Sequence, residues 1–143
     1  ITAASVATAV SAIDFHVGPV FPDRPGTVGR HRYLVEFAGA VPDLALFARV
    51  LDEELCRLNE DYAAHRASDL TLRAPEVLAV QRGGFAQWMR AQGKLGGQHK
   101  VPRMDSTGTL TRQIEGWMRH NGLMPPPLRD PAKPLNEVVH HST

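Results

Sequence analysis

The chain has 143 residues, which fits one domain, and its formal net charge at neutral pH is +1 with charged residues at 22%. So small a net charge creates no field that would favour a nucleic acid or an anionic membrane as the partner. The single cysteine, Cys56, excludes a disulfide framework within the chain and suits a reducing, cytoplasmic compartment. The sequence has no apolar run as long as the roughly 18 residues that a membrane-spanning helix needs, so no transmembrane segment is predicted.

The N-terminal part of the chain predicts a helix followed by a hairpin. Val6, Val10 and Ile13 recur at helical spacing, which indicates an amphipathic helix. Because a natural chain seldom begins at an isoleucine within a helix, we expect the sequence to be a piece of a longer protein. Two β-prone runs, 15–21 and 31–38, flank a Pro-Gly turn signal and predict an antiparallel hairpin.

The middle of the chain predicts one long helix, a third strand and two shorter helices. A helix from about residue 43 to about 66 is indicated by an apolar stripe formed by Leu44, Phe47, Leu51, Leu55, Leu58 and Tyr62. We interpret 75–84 as a central strand because both of its faces are apolar. Helices near 85–93 and 114–122 each contain Trp-Met-Arg and end in a glycine, with the tryptophans as core anchors. Between them, 98–101 is a candidate short edge strand.

These elements together predict an α+β fold, in which helices pack against a mixed sheet of three or four strands. We assign residues 1–122 to this domain. The remaining residues, 123–143, contain five of the eleven prolines of the chain and predict an extended or disordered tail. No chemistry is assigned to the tail.

Few residue patterns indicate a catalytic or metal site. The seven histidines show no ligand-pair spacing, so no metal site is predicted. The sequence has no nucleophile elbow, and its "GGQHK" stretch lacks the spacing of a P-loop. Cys56 falls within a helical pattern and is interpreted as a packing residue. Tyr62 and Arg66, one helical turn apart, are interpreted as a core aromatic residue and a paired surface arginine, in preference to contacts at a domain interface.

The segment "KLGGQHKVPR", residues 94–103, is the candidate functional element. Gly96 and Gly97 release the backbone and Pro102 restricts it again, so the segment fixes the direction of Lys100. A lysine held in this way can face a ligand, a partner or water, and these residues alone do not decide between the three.

The same segment, with "LNEDYAAHR" (58–66) and "RYLVEFAG" (32–39), resembles the C-terminal domain of the Gretchen Hagen auxin-responsive family of acyl acid amido synthetases. Members of that family carry a Gln-Tyr-Lys-Val-Pro-Arg-like stretch near their C-terminus, and His99 stands here at the tyrosine position. The resemblance covers residues 1 to about 122.

The resemblance implies a chemistry that this chain shares with a large N-terminal adenylation domain of the same protein. Enzymes of the family adenylate a carboxylic acid with ATP and Mg²⁺, release pyrophosphate, and transfer the acyl group to the amine of an amino acid. Their C-terminal domain is similar to the mobile lid of acyl-CoA synthetases. We therefore expect this chain to be a lid that is inactive in isolation, with ATP and Mg²⁺ bound mainly by the N-terminal domain. Thioester formation with a carrier thiol is a close variant of this chemistry.

The resemblance implies Lys100 as the catalytic residue and as a contact to the nucleotide, with Arg103 and Lys94 as further nucleotide-binding candidates. Two unit charges about 4 Å apart, at an effective dielectric constant near 20, interact by about 4 kcal/mol. In sister families the catalytic lysine follows a Thr-Gly turn, where this chain has Thr109. Either Lys100 takes that role, or the lid uses no lysine in the same manner.

The alternative function is a non-catalytic α+β module that binds a small metabolite or another subunit. A hairpin followed by helix, strand and helix is generic, and a fold does not decide function. A phosphate-binding loop rich in Ser, Thr and Gly upstream of this chain would favour the synthetase. Tight binding of a metabolite by the isolated domain would favour the module.

Overall fold

A computed structural model describes residues 1–22, 28–67, 71–93 and 100–125 of the chain. In chain order its elements are α1 (Thr2–Thr8), β1 (Ala12–Val20), β2 (Arg30–Phe37), α2 (Leu44–Leu58), α3 (Glu60–Arg66), β3 (Glu76–Val80), α4 (Gly84–Ala91) and α5 (Thr109–His120). The described part of the chain thus combines five helices with a three-stranded mixed sheet, which confirms the predicted α+β fold. None of the helices in these ranges is long and apolar enough to cross a bilayer.

The sheet has the order β1-β2-β3, with β1 antiparallel and β3 parallel to β2. The antiparallel pairing of β1 with β2 confirms the predicted hairpin, whose Pro-Gly tip lies outside the described residues. The expectation that the third strand is central is wrong, because β2 is central and β3 forms an edge of the described sheet. The residues of β3 are apolar on both faces because helices cover both faces of the sheet. An edge strand covered in this way has the same apolar pattern as a central strand.

Two apolar clusters lie on opposite faces of β2, since successive strand residues point to opposite sides. Leu34 and Val35 are neighbours in β2, both are 0% exposed, and they belong to different clusters. The α1–α2 cluster consists of Ala4, Val17, Tyr33, Val35, Phe37, Phe47, Leu51 and Val77. The α4–α5 cluster consists of Leu34, Val80, Phe85, Trp88, Met89, Val101, Ile114, Met118, Leu123 and Met124. The sheet is therefore the middle layer of three.

Two predicted helices differ from the observed ones. The first ends at Ala9, whose left-handed φ of 59° stops the helix, so Ile13 lies in β1 instead. The long helix predicted over 43–66 is two helices, because Asn59 adopts an extended conformation and its side chain accepts a hydrogen bond from the amide of Tyr62. An asparagine in this role begins a new helix. The apolar stripe is interrupted there, and Leu58 is 66% exposed.

Helices α4 and α5 confirm the two predicted tryptophan-containing helices. Trp88 is buried in the α4–α5 cluster, and Trp117 packs against it while partly exposed. Gly93 and Gly122 follow the two helices with φ of 77° and 71°, the left-handed region that glycine adopts without strain. Residues 126–143 of the predicted tail lie outside the described residues, so the division of the chain at 122 stays a prediction.

Candidate functional site

Lys100 is an exposed residue at the start of the described range 100–125. Its neighbour Val101 is 2% exposed and belongs to the α4–α5 cluster. The chain therefore changes from an exposed cation to a buried core residue in one step. Lys94, Gly96, Gly97 and His99 lie outside the described residues, so the proposed effect of the glycines and the role of Lys94 stay predictions.

The residues that follow Val101 are hydrogen-bonded to the outer edge of β1. The amide of Val17 donates to the carbonyl of Arg103 at 2.8 Å, and the amide of Asp105 donates to the carbonyl of Val17 at 3.0 Å. Val17 and Met104 form an isolated parallel bridge. We call residues 101–105 the anchored segment. Residues 98 and 99 of the predicted edge strand lie outside the described residues, and the bridge to β1 is found at Met104.

His16 of β1 is 0% exposed and contacts the anchored segment with its side chain. Its Nδ1 lies 2.6 Å from the carbonyl oxygen of Pro102, and its Nε2 lies 2.7 Å from Oγ1 of Thr111 in α5. Because a carbonyl oxygen only accepts, Nδ1 carries the hydrogen, and Nε2 of the neutral ring accepts from the Thr111 hydroxyl. Burial lowers the pKa of His16 below its usual value, which favours this neutral form.

Helix α5 approaches β1 closely enough for this contact because residue 18 is a glycine. A Cβ atom on Gly18 would lie 1.8 Å from Oγ1 of Thr111. The turn before α5 is held by Asp105, whose carboxylate accepts from the amides of Thr111 and Thr107 at 3.1 and 3.2 Å. Strand, anchored segment and helix therefore form one hydrogen-bonded unit around His16.

Arg103 lies on the surface of the same unit. Its guanidinium forms an ion pair with Asp14, and its central carbon lies 4.5 Å from the centroid of the Phe15 ring. The side chain is still 45% exposed. Arg103 is thus held against β1 while part of it remains accessible, and its assignment to nucleotide binding stays a prediction.

A concave surface adjoins the anchored segment. A cavity of about 370 Å³ between α4 and α5 is lined by Trp88, Gln92, Pro102, Leu110, Gln113 and Trp117. Its volume falls within the range of small-ligand pockets, roughly 300–1,000 Å³. Pro102 therefore contacts His16 through its carbonyl and also borders this cavity.

Tyr62 and Arg66 both bind Asp52, which confirms a paired arginine, whereas the prediction of Tyr62 as a core residue is wrong because Tyr62 is half-buried and belongs to neither apolar cluster. The Tyr62 hydroxyl and Arg66 Nε donate to Oδ1 of Asp52 at 2.7 and 2.8 Å, and Arg66 Nη2 donates to Oδ2 at 2.8 Å. The Arg66 and Asp52 side chains are 14% and 18% exposed. Burial, and then the hydrogen bond to Asp52, raise the pKa of Tyr62. We call these three residues the Asp52 clamp, which joins α2 to α3.

Sequence reasoning missed the buried polar residues that organise the unit. His16, Thr111 and Glu36 are 0%, 2% and 6% exposed. Glu36 of β2 accepts from the amides of Gly83 and Phe85 at 3.0 and 3.3 Å, where α4 begins. The signal for His16 and Glu36 was a polar residue at an interior position of an apolar predicted strand, which indicates a specific buried partner. The partners themselves are 47 to 95 residues away in the chain.

Comparison with known proteins agrees with the resemblance found in the residues. Residues 1–108 match the family model described as the GH3 family C-terminal domain. A solved structure of GH3.15 acyl acid amido synthetase is similar, with a TM-score of 0.60 and 19% identity over 80% of this chain and 22% of that chain. A second solved structure, AtGH3.15 acyl acid amido synthetase in complex with 2,4-DB, gives a TM-score of 0.61 at 19% identity with the same coverage. This chain thus spans 22% of the length of each structure. No curated protein matched it.

Proposed function

The chain belongs to the GH3 family, as its C-terminal domain, and on that premise we propose that it is the mobile C-terminal domain of an ATP-dependent acyl acid amido synthetase. The enzyme adenylates a carboxylic acid and transfers the acyl group to the amine of an amino acid. An N-terminal adenylation domain of the same protein is the partner of this chain, and the protein acts in the cytoplasm. The observation that carries the proposal is exposed Lys100 directly before the anchored segment.

Lys100 supplies positive charge to the adenylation step. In that step a carboxylate oxygen of the acid bonds to the α-phosphorus of ATP, the bond from that phosphorus to the bridging oxygen breaks, and pyrophosphate leaves with the electron pair. Negative charge increases on pyrophosphate and is redistributed on the α-phosphate. A cation that a closing domain brings to these oxygens stabilises the transition state more than the ground state.

The described residues fit a contact to phosphate better than a site for Mg²⁺. Lys100 is an exposed cation, and the half-exposed Arg103 lies on the same segment. Within 1–22, 28–67, 71–93 and 100–125 there is no group of three or more His, Cys, Asp or Glu residues that could hold a metal ion. We therefore assign the binding of ATP and Mg²⁺ mainly to the N-terminal domain. From the C-terminal domain, Lys100 contacts the nucleotide, and Arg103 and Lys94 are further candidates for such a contact.

The second step forms the amide. The amine nitrogen of the amino acid bonds to the acyl carbon of the adenylate, the carbon–oxygen bond to AMP breaks with its electron pair leaving on AMP, and the proton lost by the amine passes to water. The anchored segment is well suited to a domain that takes part in two steps, since its backbone hydrogen bonds to β1 keep it rigid while the whole domain moves. The acid is held by the N-terminal domain.

The test is acid-dependent release of pyrophosphate by the full-length protein with and without Lys100→Ala. We expect the rate to fall at least about a hundredfold, because a group that stabilises charge in the transition state is removed. Arg49→Ala, which removes an exposed cation from α2, is the matched control and should leave the rate unchanged. A loss below about threefold both in pyrophosphate release and in amide formation, measured on the same proteins, would make Lys100 an ordinary surface residue. The isolated domain should show no turnover.

The alternative module draws support from one observation, an apolar cavity of about 740 Å³ beside β3, at the edge of the described sheet. It is lined by Val41, Leu44, Leu78, Ala79, Val80, Gln81, Arg119, Gly122, Leu123, Met124 and Pro125. If this chain binds a metabolite without catalysis, calorimetry on the domain would detect tight binding, and Lys100→Ala would not affect the full-length protein.

A further inference from the structure

We infer that His16 and Thr111 are positioning residues for Lys100, a role that rests on the proposed function. Neither residue reaches the surface, since His16 is 0% and Thr111 is 2% exposed. They act through the backbone of Pro102, two residues after the lysine. They contribute to adenylation by fixing the direction in which the Lys100 side chain projects from the domain.

The backbone directly after Lys100 is restrained. Val101 is buried, the Pro102 carbonyl accepts from His16, and the Arg103 carbonyl accepts from Val17. Three consecutive residues are therefore held by three different kinds of contact. On this side Lys100 is separated from the fixed backbone by a single peptide bond.

The orientation of the His16 ring depends on Thr111. A buried imidazole that donates from Nδ1 to Pro102 leaves Nε2 as an unpaired acceptor unless another group supplies a hydrogen. The Thr111 hydroxyl supplies it at 2.7 Å. Its position is fixed in turn by the amide hydrogen bond to Asp105 and by the bare Cα of Gly18. Thr111 thus fixes the orientation of the ring that holds Pro102.

Adenylation is sensitive to the position of the charge that assists it. A displacement of about 1 Å at a catalytic group can cost on the order of a hundredfold in rate. Loss of the Thr111 hydroxyl leaves Nε2 of His16 without its donor, so the ring can rotate toward another donor and release the Pro102 carbonyl. The core residues Val101 and Ile114 remain in place, so the domain still folds. The Lys100 side chain is then no longer held in one direction.

The experiment compares Thr111→Val with Thr111→Ser in the full-length protein. Valine keeps the shape and removes the hydroxyl, whereas serine restores it. We expect Thr111→Val to lower the maximal rate of pyrophosphate release about ten- to a hundredfold, and Thr111→Ser to stay within about threefold of the original protein. Thr2→Val, an exposed position in α1, is the control and should have no effect.

A double-mutant cycle with Lys100→Ala separates positioning from a general structural effect. If Thr111 acts through Lys100, Thr111→Val should change the rate less than about twofold once the lysine is absent. An equal loss with and without the lysine would overturn the inference, and so would a normal rate in Thr111→Val beside a lost rate in Lys100→Ala. A normal rate in Lys100→Ala would overturn the proposed function, and the inference with it.

Discussion

The unit around His16 and the Asp52 clamp are both buried polar contacts, yet they join different parts of the fold. His16 joins residues 86 and 95 positions away, is fully buried, and binds through a neutral ring. Asp52 joins residues only 10 and 14 positions away, in the next helix, through a charged pair that is partly exposed. The first contact fixes the backbone beside exposed Lys100, and the second fixes one helix to another.

Both regions contain residues that resemble the family, since 58–66 includes Tyr62 and Arg66 and 94–103 includes Lys100. The structure gives the two stretches different surroundings. The side chains of Tyr62 and Arg66 are directed to Asp52, whereas Lys100 is exposed directly before the anchored segment. A shared motif therefore marks residues that matter for the fold as well as residues available to a ligand. Substitutions in the Asp52 clamp should therefore change mainly stability, whereas substitutions around Lys100 should change mainly activity.

The largest expected effect on stability is that of Gly18→Ala. The new Cβ would overlap Oγ1 of Thr111 at 1.8 Å and approach its Cβ to 2.8 Å, so β1 and α5 must separate. We expect the free energy of unfolding to fall by about 3 kcal/mol. Denaturant unfolding of the full-length protein measures it, with Gly116→Ala as the control. A Cβ atom on Gly116 would meet nothing within 4 Å outside its own helix backbone, and alanine there should stabilise α5 by up to about 1 kcal/mol.

Arg66→Ala should separate stability from activity. It removes the partner of a carboxylate that is only 18% exposed, which should lower the free energy of unfolding by about 1–3 kcal/mol. Since the Asp52 clamp does not touch the anchored segment, the rate of pyrophosphate release by the folded protein should stay within about twofold. Arg57→Ala is the comparison, because the Arg57 side chain is 66% exposed and its ion pair with Glu54 is screened by water, so its loss should change the free energy of unfolding much less. A rate loss in Arg66→Ala that matches the loss in Thr111→Val would show that the two regions are coupled.

A smaller effect is expected from pH. Burial lowers the pKa of His16 in the folded protein, so the unfolded chain binds the proton more tightly. The stabilisation by the neutral ring is present above the unfolded pKa of about 6.5 and is lost as the pH falls below it. Unfolding measured between pH 7.5 and 5 should therefore show the free energy of unfolding decreasing as the pH is lowered. His16→Gln should reduce the slope of this free energy against pH. His31, whose pKa is also lowered by burial, should retain its own part of the slope in both proteins. An unchanged slope in His16→Gln would mean that folding does not shift the pKa of His16.

The sequence predicts local pairing well and long-range pairing poorly. The hairpin and the tryptophan helices depend on spacings that the chain shows directly, and the structure bears them out. Asn59 shows the limit of periodicity, because an apolar repeat continues through a residue that ends one helix and caps the next. The edge position of β3 could not be predicted from its apolar faces. Helices that cover both faces of a sheet make an edge strand apolar on both sides, just as they do a central strand.

The candidate site shows the same division. Pro102 and Lys100 were identified from the segment that contains them. His16 and Thr111 were not, because a histidine in one strand and a threonine in the last described helix have no common pattern until the fold brings them to 2.7 Å. Only the polarity of His16 inside an apolar strand indicated that it needed a partner.

The most direct measurement is a structure of the full-length protein closed over a stable mimic of the acyl adenylate. We expect Nζ of Lys100 to lie about 3 Å from an oxygen of the α-phosphate, with the Pro102 carbonyl still bound to His16. A closed structure with this ammonium group in solvent, away from every oxygen of the nucleotide, would contradict the assignment of Lys100.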